Sequence, residues 1–144
     1  MLILLPPSEG KTDPKRGRQL DLSQLSASAL TQQRHAVLDS LTTLCWESDQ
    51  IRAREVLGLP PGLADLVALN AGLRDSATAP ASAIYSGVLF AALDLPSLRG
   101  SDLRRANGRI AIMSGLFGMV TPADRICAYR LSADVNLPGI GNVA

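Results

Sequence analysis

Most of the residues that usually announce chemistry are scarce in this chain. It has one histidine, His35, and two cysteines, Cys45 and Cys127, whose separation fits no metal-ligand spacing, so no metal site is expected. Aromatic residues amount to 3%: Trp46, Tyr85, Phe90, Phe117 and Tyr129. The core must therefore be built from Leu, Val, Ile and Ala. Long apolar runs are missing too. Met1-Leu2-Ile3-Leu4-Leu5 is cut by Pro6-Pro7, short of the roughly 7–15 residues of a secretory h-region and of the roughly 18 of a membrane span. Charge of one sign is also lacking. Fourteen basic residues face 13 acidic ones, a net charge of +1, and no whole-chain field points to nucleic acid or an anionic membrane. Any case for DNA must be local.

What is present describes a folded protein. An apolar fraction of 47% against 19% charged residues excludes intrinsic disorder, and 144 residues make one domain or part of a larger one. Two reduced, packed thiols and the short apolar start set the expectation of a cytoplasmic protein without membrane association. Residues 1–5 are expected to form a short buried strand. Positions 6–18 read as a loop with three prolines. Leu30, Arg34, Val37, Leu38, Leu41 and Cys45 recur at helical spacing, which predicts a helix from Ser26 or Ser28 to about Leu44. A second helix is expected over Ser48–Leu57, stopped by Gly58. A third opens at Pro60-Pro61-Gly62 with Leu63, Leu66, Val67, Asn70 and Leu73 on one face. Ala83-Ile84-Tyr85 reads as a short strand, with short helical pieces at Phe90–Leu93 and Ser101–Asn107. Arg109–Met113 is a convincing strand, and Ile126–Asp134 a weak third one. Interleaved helices and strands without regular βαβ spacing give a mixed α/β (α+β) class.

Four segments carry candidate chemistry. Gly10-Lys11-Thr12 follows a strand as a Walker A loop does, but Leu5 stands where that loop needs its first glycine, and Pro14 blocks the helix that must follow. Lys11 nonetheless sits just past a strand end, where it is either a solvated loop residue or a phosphate anchor, base or amine nucleophile. Ser114-Gly115-Leu116-Phe117-Gly118 follows the expected strand Arg109–Met113 and permits a tight turn or close ligand approach. Downstream, Arg125 and Tyr129-Arg130 offer two guanidinium groups and a phenol. Arg99, Arg104, Arg105 and Arg109 form a small basic cluster, read as a solvated face. The most specific pattern is Leu137-Pro138-Gly139-Ile140-Gly141, the hairpin signature of helix-hairpin-helix modules, whose glycines let backbone N–H groups grip a phosphate without reading bases. The residues ahead of it, 130–136, form no obvious first helix, and the second would lie beyond Ala144.

Together these segments resemble the YaaA family of peroxide stress proteins. Leu2-Ile3-Leu4-Leu5-Pro6-Pro7-Ser8-Glu9-Gly10-Lys11-Thr12 is similar to that family's opening, in a variant that looks actinobacterial. Ile84-Tyr85-Ser86-Gly87 is similar to its Tyr-Thr-Gly element. Ser114-Gly115-Leu116-Phe117-Gly118 followed by Pro122, Asp124 and Tyr129-Arg130-Leu131 is similar to its longest signature. The resemblance implies a barrel-like or open mixed sheet core wrapped by helices. It also implies that residues 1–144 are the N-terminal portion of a single domain whose C-terminal half is absent from this chain.

Two functions compete. The resemblance implies a cytoplasmic peroxide stress protein that limits iron-driven damage and binds duplex DNA without sequence preference. Lys11, Arg125 and Arg130 would then line a cleft, while Pro138, Gly139, Ile140 and Gly141 grip a phosphate. The alternative is an enzyme with a pocket centred on Lys11, Tyr129 and Arg130, acting on a small phosphorylated or nucleobase-like substrate. A flat basic groove favours the first; a pocket joining the two strand-end motifs favours the second. No cofactor and no oligomeric state is specified by either.

Overall fold

The computed structural model describes residues 1–143, so Ala144 lies outside the described residues. Strand β1 (Ile3–Leu5) runs parallel to β3 (Ile110–Ser114), with Ile3 opposite Ile110 and Leu5 opposite Ile112. β3 then turns back into β4 (Gly118–Val120), giving a three-stranded sheet in the order β1-β3-β4. β1 is thus an edge strand, paired on one side only. The strand is not the buried one expected: Leu2 and Leu4, alternate residues on one face, are exposed although the run is wholly apolar, and only Leu5 is buried. The long connection from β1 to β3 carries the helices that a parallel crossover requires.

Helix α1 (Thr31–Glu47) starts later and ends later than its apolar pattern predicts, because Ser28–Leu30 is a separate 3-10 turn. α2 (Gln50–Leu57) is capped by Asp49, whose carboxylate accepts from the Arg52 N–H at 2.7 Å, and Gly58 stops it in the left-handed conformation at φ 64°. Pro61–Leu63 forms a 3-10 turn ahead of α3 (Asp65–Ala71). Ala83-Ile84-Tyr85 does not form the expected strand. Pro80 ends a short strand, β2 (Ala79–Pro80), and α4 (Ala81–Ile84) follows as one helical turn. A three-residue apolar run carries no period, so tertiary context decides its conformation. Beyond it lie α5 (Val88–Leu93) and α6 (Gly100–Arg109). Arg99, Arg104, Arg105 and Arg109 are all exposed on or beside α6.

The expected strand over Ile126–Asp134 shrinks to β5 (Arg125–Ile126), paired antiparallel with β2. Residues 127–131 are still largely buried, with Cys127, Ala128 and Tyr129 almost without solvent contact. Their backbone is held by a side chain instead of a ladder. Asn70, fully buried on α3, donates to the Arg130 carbonyl at 2.7 Å and accepts from the Arg130 N–H at 2.9 Å. β6 (Asn136–Leu137) and β7 (Gly141–Asn142) close the described chain as a hairpin. The sheets are small and none closes into a barrel, so the fold is mixed α/β with an open mixed core. No helix among the described residues is long and apolar enough to cross a membrane.

Candidate functional site

The loop after β1 is laced to the turn after α4. Thr12 N–H donates to the Ile84 carbonyl at 2.8 Å, and Ser86 N–H to the Ser8 hydroxyl at 3.1 Å. Lys11 and Tyr85 form an isolated antiparallel bridge. These contacts turn Lys11 inward. Its ammonium donates to the Ser8 carbonyl at 2.7 Å and lies 4.2 Å from the Tyr129 ring centroid and 5.5 Å from that of Tyr85. Aromatic faces are the surroundings that accept a partly dehydrated cation.

Beneath the lysine runs a buried chain of hydroxyls. The Tyr85 and Tyr129 hydroxyls are 2.9 Å apart, and the Tyr129 hydroxyl is 2.7 Å from that of Ser114, which in turn accepts from the Phe117 N–H at 3.0 Å. Phe117 meets Tyr129 edge-on at 5.3 Å between centroids. The Ser-Gly-Leu-Phe-Gly turn therefore forms the floor of the site. Burial raises the pKa of both phenols, so they remain protonated at neutral pH.

Arg130 completes the rim. Its guanidinium is 3.1 Å from the Glu9 carboxylate, and that glutamate side chain is 77% exposed, so solvent screens the pair heavily. Lys11 is pulled down to about 8, first by burial, then by the nearby Arg130 charge, with Glu9 opposing. Two grooves flank the two cations. One, of about 130 Å³, runs past Ser8 and Ser132; the other, of about 270 Å³, has Leu66, Leu69 and Tyr129 as an apolar wall. Lys11 and Arg130 are the cations of the site, with the exposed carboxylates of Glu9, Asp13 and Asp65 along the wider groove, and an amine held near 8 exchanges protons close to neutral pH.

The structure thus brings together Lys11, Tyr129 and Arg130 and leaves the other candidates elsewhere. Arg125 lines a different cavity, beside Arg18 and Thr78. Pro138, Gly139, Ile140 and Gly141 form the turn and returning strand of the β6–β7 hairpin, with no helix in residues 130–136. Glu9 and Ser114 lie in segments the sequence marks, but the sequence assigns no role to either. Neither has a periodic signal; each matters only through what the fold sets beside it. The two thiols are buried, and burial pushes Cys45 up to about 11 and Cys127 up to about 12. Both stay protonated, which makes them poor peroxide nucleophiles. Among the described residues no group of three or more His, Cys, Asp or Glu side chains is placed to hold a metal ion.

Residues 1–143 match the family model described as Peroxide stress protein YaaA. A UPF0246 protein of Streptomyces coelicolor is 50% identical over 141 residues, covering 98% of this chain and 54% of that protein. UPF0246 proteins of Corynebacterium efficiens and Corynebacterium glutamicum are 42% and 43% identical over 96% of the chain, again covering 54% and 53% of their own lengths. The chain spans about half the length of these curated relatives. With the match running from the first strand through the hairpin, the chain belongs to the peroxide stress protein YaaA family.

Proposed function

We propose that this chain is the N-terminal portion of a peroxide stress protein whose working centre is the Lys11–Arg130 pocket, acting on a small phosphorylated or nucleobase-like substrate. Family membership supports the peroxide stress role. The enzyme reading is carried by one observation: the ammonium of Lys11 sits over the Tyr129 ring at 4.2 Å, so the two motifs meet at one site. Arg130 anchors the anionic group, Lys11 gives or takes the proton, and the apolar wall of Leu66 and Leu69 receives the rest of the ligand. Titration with inorganic phosphate and with a nucleoside monophosphate, followed by calorimetry, tests it. Arg130→Gln and Lys11→Gln are each expected to weaken binding roughly tenfold, the loss of one charge-assisted contact. Wild-type affinity in both variants would rule the pocket out.

A second reading, non-specific duplex DNA binding in the service of limiting iron-driven damage, is favoured by the hairpin. Gly139 and Gly141 have φ of 73° and 85°, and a Cβ at either would meet nothing within 4 Å, so the turn's backbone is open to a phosphate. Gly139→Asp places a carboxylate on that turn. Apparent DNA affinity is then expected to fall several-fold at low salt, and wild-type affinity to drop steeply as salt rises. Salt-insensitive binding, or equal affinity in the variant, would remove this reading.

A further inference from the structure

The chain has two lysines, and the fold treats them differently. Lys15 is exposed and paired with the Asp13 carboxylate at 2.8 Å. Lys11 is half-buried, and its amine donates to two backbone carbonyls, those of Ser8 and Glu9 at 2.7 and 3.4 Å, in place of a carboxylate. That choice of partner has a chemical consequence. A carboxylate would stabilise the ammonium form, whereas a carbonyl also accepts from the neutral amine. Neutral Lys11 can therefore stay anchored through its two N–H groups and keep its lone pair for chemistry. Burial and the neighbouring Arg130 charge hold it at about 8, so part of it is unprotonated near neutral pH.

The amine also has space beside it. Lys11 lines both grooves, and in the wider one, of about 270 Å³, its neighbours are Leu66, Leu69, Ala128 and the Tyr129 ring. Leu66 and Leu69 are three positions apart on α3, which sets them on one face. The exposed carboxylates of Glu9, Asp13 and Asp65 stand along the same groove and disfavour an anion there. A small apolar wall, an aromatic face and one amine suit a single uncharged ring.

We propose that Lys11 condenses with a small uncharged aldehyde whose ring or short apolar body lies against Leu66 and Leu69. This rests on the Lys11–Arg130 pocket being the working centre and gives the nucleobase-like side of that reading a covalent step. The Nζ lone pair forms a bond to the carbonyl carbon as the C=O π pair moves onto oxygen. One proton passes from nitrogen to that oxygen, giving a carbinolamine. A second, from solvent, lets the hydroxyl leave as water, and the nitrogen lone pair closes a protonated imine. Hydrolysis reverses every step, so neither oxidant nor reductant is consumed.

Benzaldehyde with cyanoborohydride, which reduces the imine to a stable benzylamine, tests this on the 144-residue chain by peptide mass mapping. Labelling of Lys11 is expected to saturate with benzaldehyde in the millimolar range. At low aldehyde it is expected to outpace Lys15 and the α-amine of Met1, a residue 92% exposed, by roughly tenfold. Leu69→Ser is expected to raise the half-saturating concentration roughly fivefold. The same variant is expected to leave Lys11 labelling by formaldehyde, which has no body to bind, unchanged. The proposal is overturned by an absent Lys11 adduct, by labelling that rises without saturation or no faster than at Met1, or by an unchanged half-saturation in Leu69→Ser. Calorimetry with phosphate separates it from the reading on which it rests. Phosphate bound without a Lys11 adduct removes the covalent step alone, whereas a saturable adduct with phosphate affinity untouched by Arg130→Gln and Lys11→Gln removes the anion site alone.

Discussion

Replacing Arg34 with alanine is expected to lower the unfolding free energy by about 3–5 kcal/mol, among the largest effects of any single substitution in the chain. Arg34 lies in the apolar stripe of α1 and is only 2% exposed. Its Nε donates to the Phe117 carbonyl at 2.8 Å, and Nη2 donates to the Ser26 and Met119 carbonyls at 2.8 and 2.7 Å. Burial works against its charge and the Asp124 carboxylate works for it. Truncation strands three carbonyls, that of Phe117 buried and those of Ser26 and Met119 part-buried, and leaves a hole where the long stem packed. The same turn carries Phe117, which rests on Tyr129 beneath Lys11. Urea unfolding checks the stability, and phosphate titration checks the site. A loss below about 1 kcal/mol, the ordinary range for a surface residue, would show that the carbonyls find other donors.

Lys11→Met is expected to act in the opposite direction on stability while weakening ligand binding about tenfold, as Lys11→Gln does. The folded chain holds Lys11 near 8 against a usual 10.5. Between those values the unfolded chain binds more protons than the folded one, so wild-type stability gains from this residue as pH rises, and below about 8 the full penalty of the buried charge is present. Methionine carries no such penalty. At pH 7 the variant is expected to be more stable by about 2 kcal/mol, a figure discounted for the part of the lysine that solvent reaches. The gap should close as pH approaches 10.5. Thermal unfolding across that range measures it, with phosphate binding as the second readout. A variant less stable than wild type at pH 7 would mean that the contacts with Tyr129 and Ser8 outweigh the desolvation. A working residue held at the expense of stability is the usual signature of a functional site.

Much of the framework is legible in the sequence because it is written in local chemistry. Gly58 ends α2 where its left-handed conformation is needed, Pro6-Pro7 ends β1, and the apolar period of α1 survives a shift of a few residues at its ends. The matching segments around Lys11, Ile84–Gly87 and Ser114–Leu131 identify the family in advance of any coordinates. Short elements are where local reading stops. Ala83-Ile84-Tyr85 has too few residues to show a period, and a helical turn wins because Pro80 and the Ala81 carbonyl set it. Ile126–Asp134 alternates like a strand, yet Asn70 from α3 claims its backbone and replaces the ladder.

By itself, then, the sequence determined the class of fold, the family, the near-neutral charge and the placing of Lys11 just past the first strand. Only the tertiary structure decided that the Lys11 and Tyr129-Arg130 motifs meet, that Arg125 lines another cavity, and that Arg34, within the apolar stripe, clamps the Phe117 and Met119 carbonyls. The reason is physical. A helix cap or a proline stop acts between residues a few positions apart, whereas the distance from Lys11 to Tyr129 is set by two segments more than a hundred residues apart, closed on each other by the pairing of β1 with β3 and by the packing of one tyrosine pair.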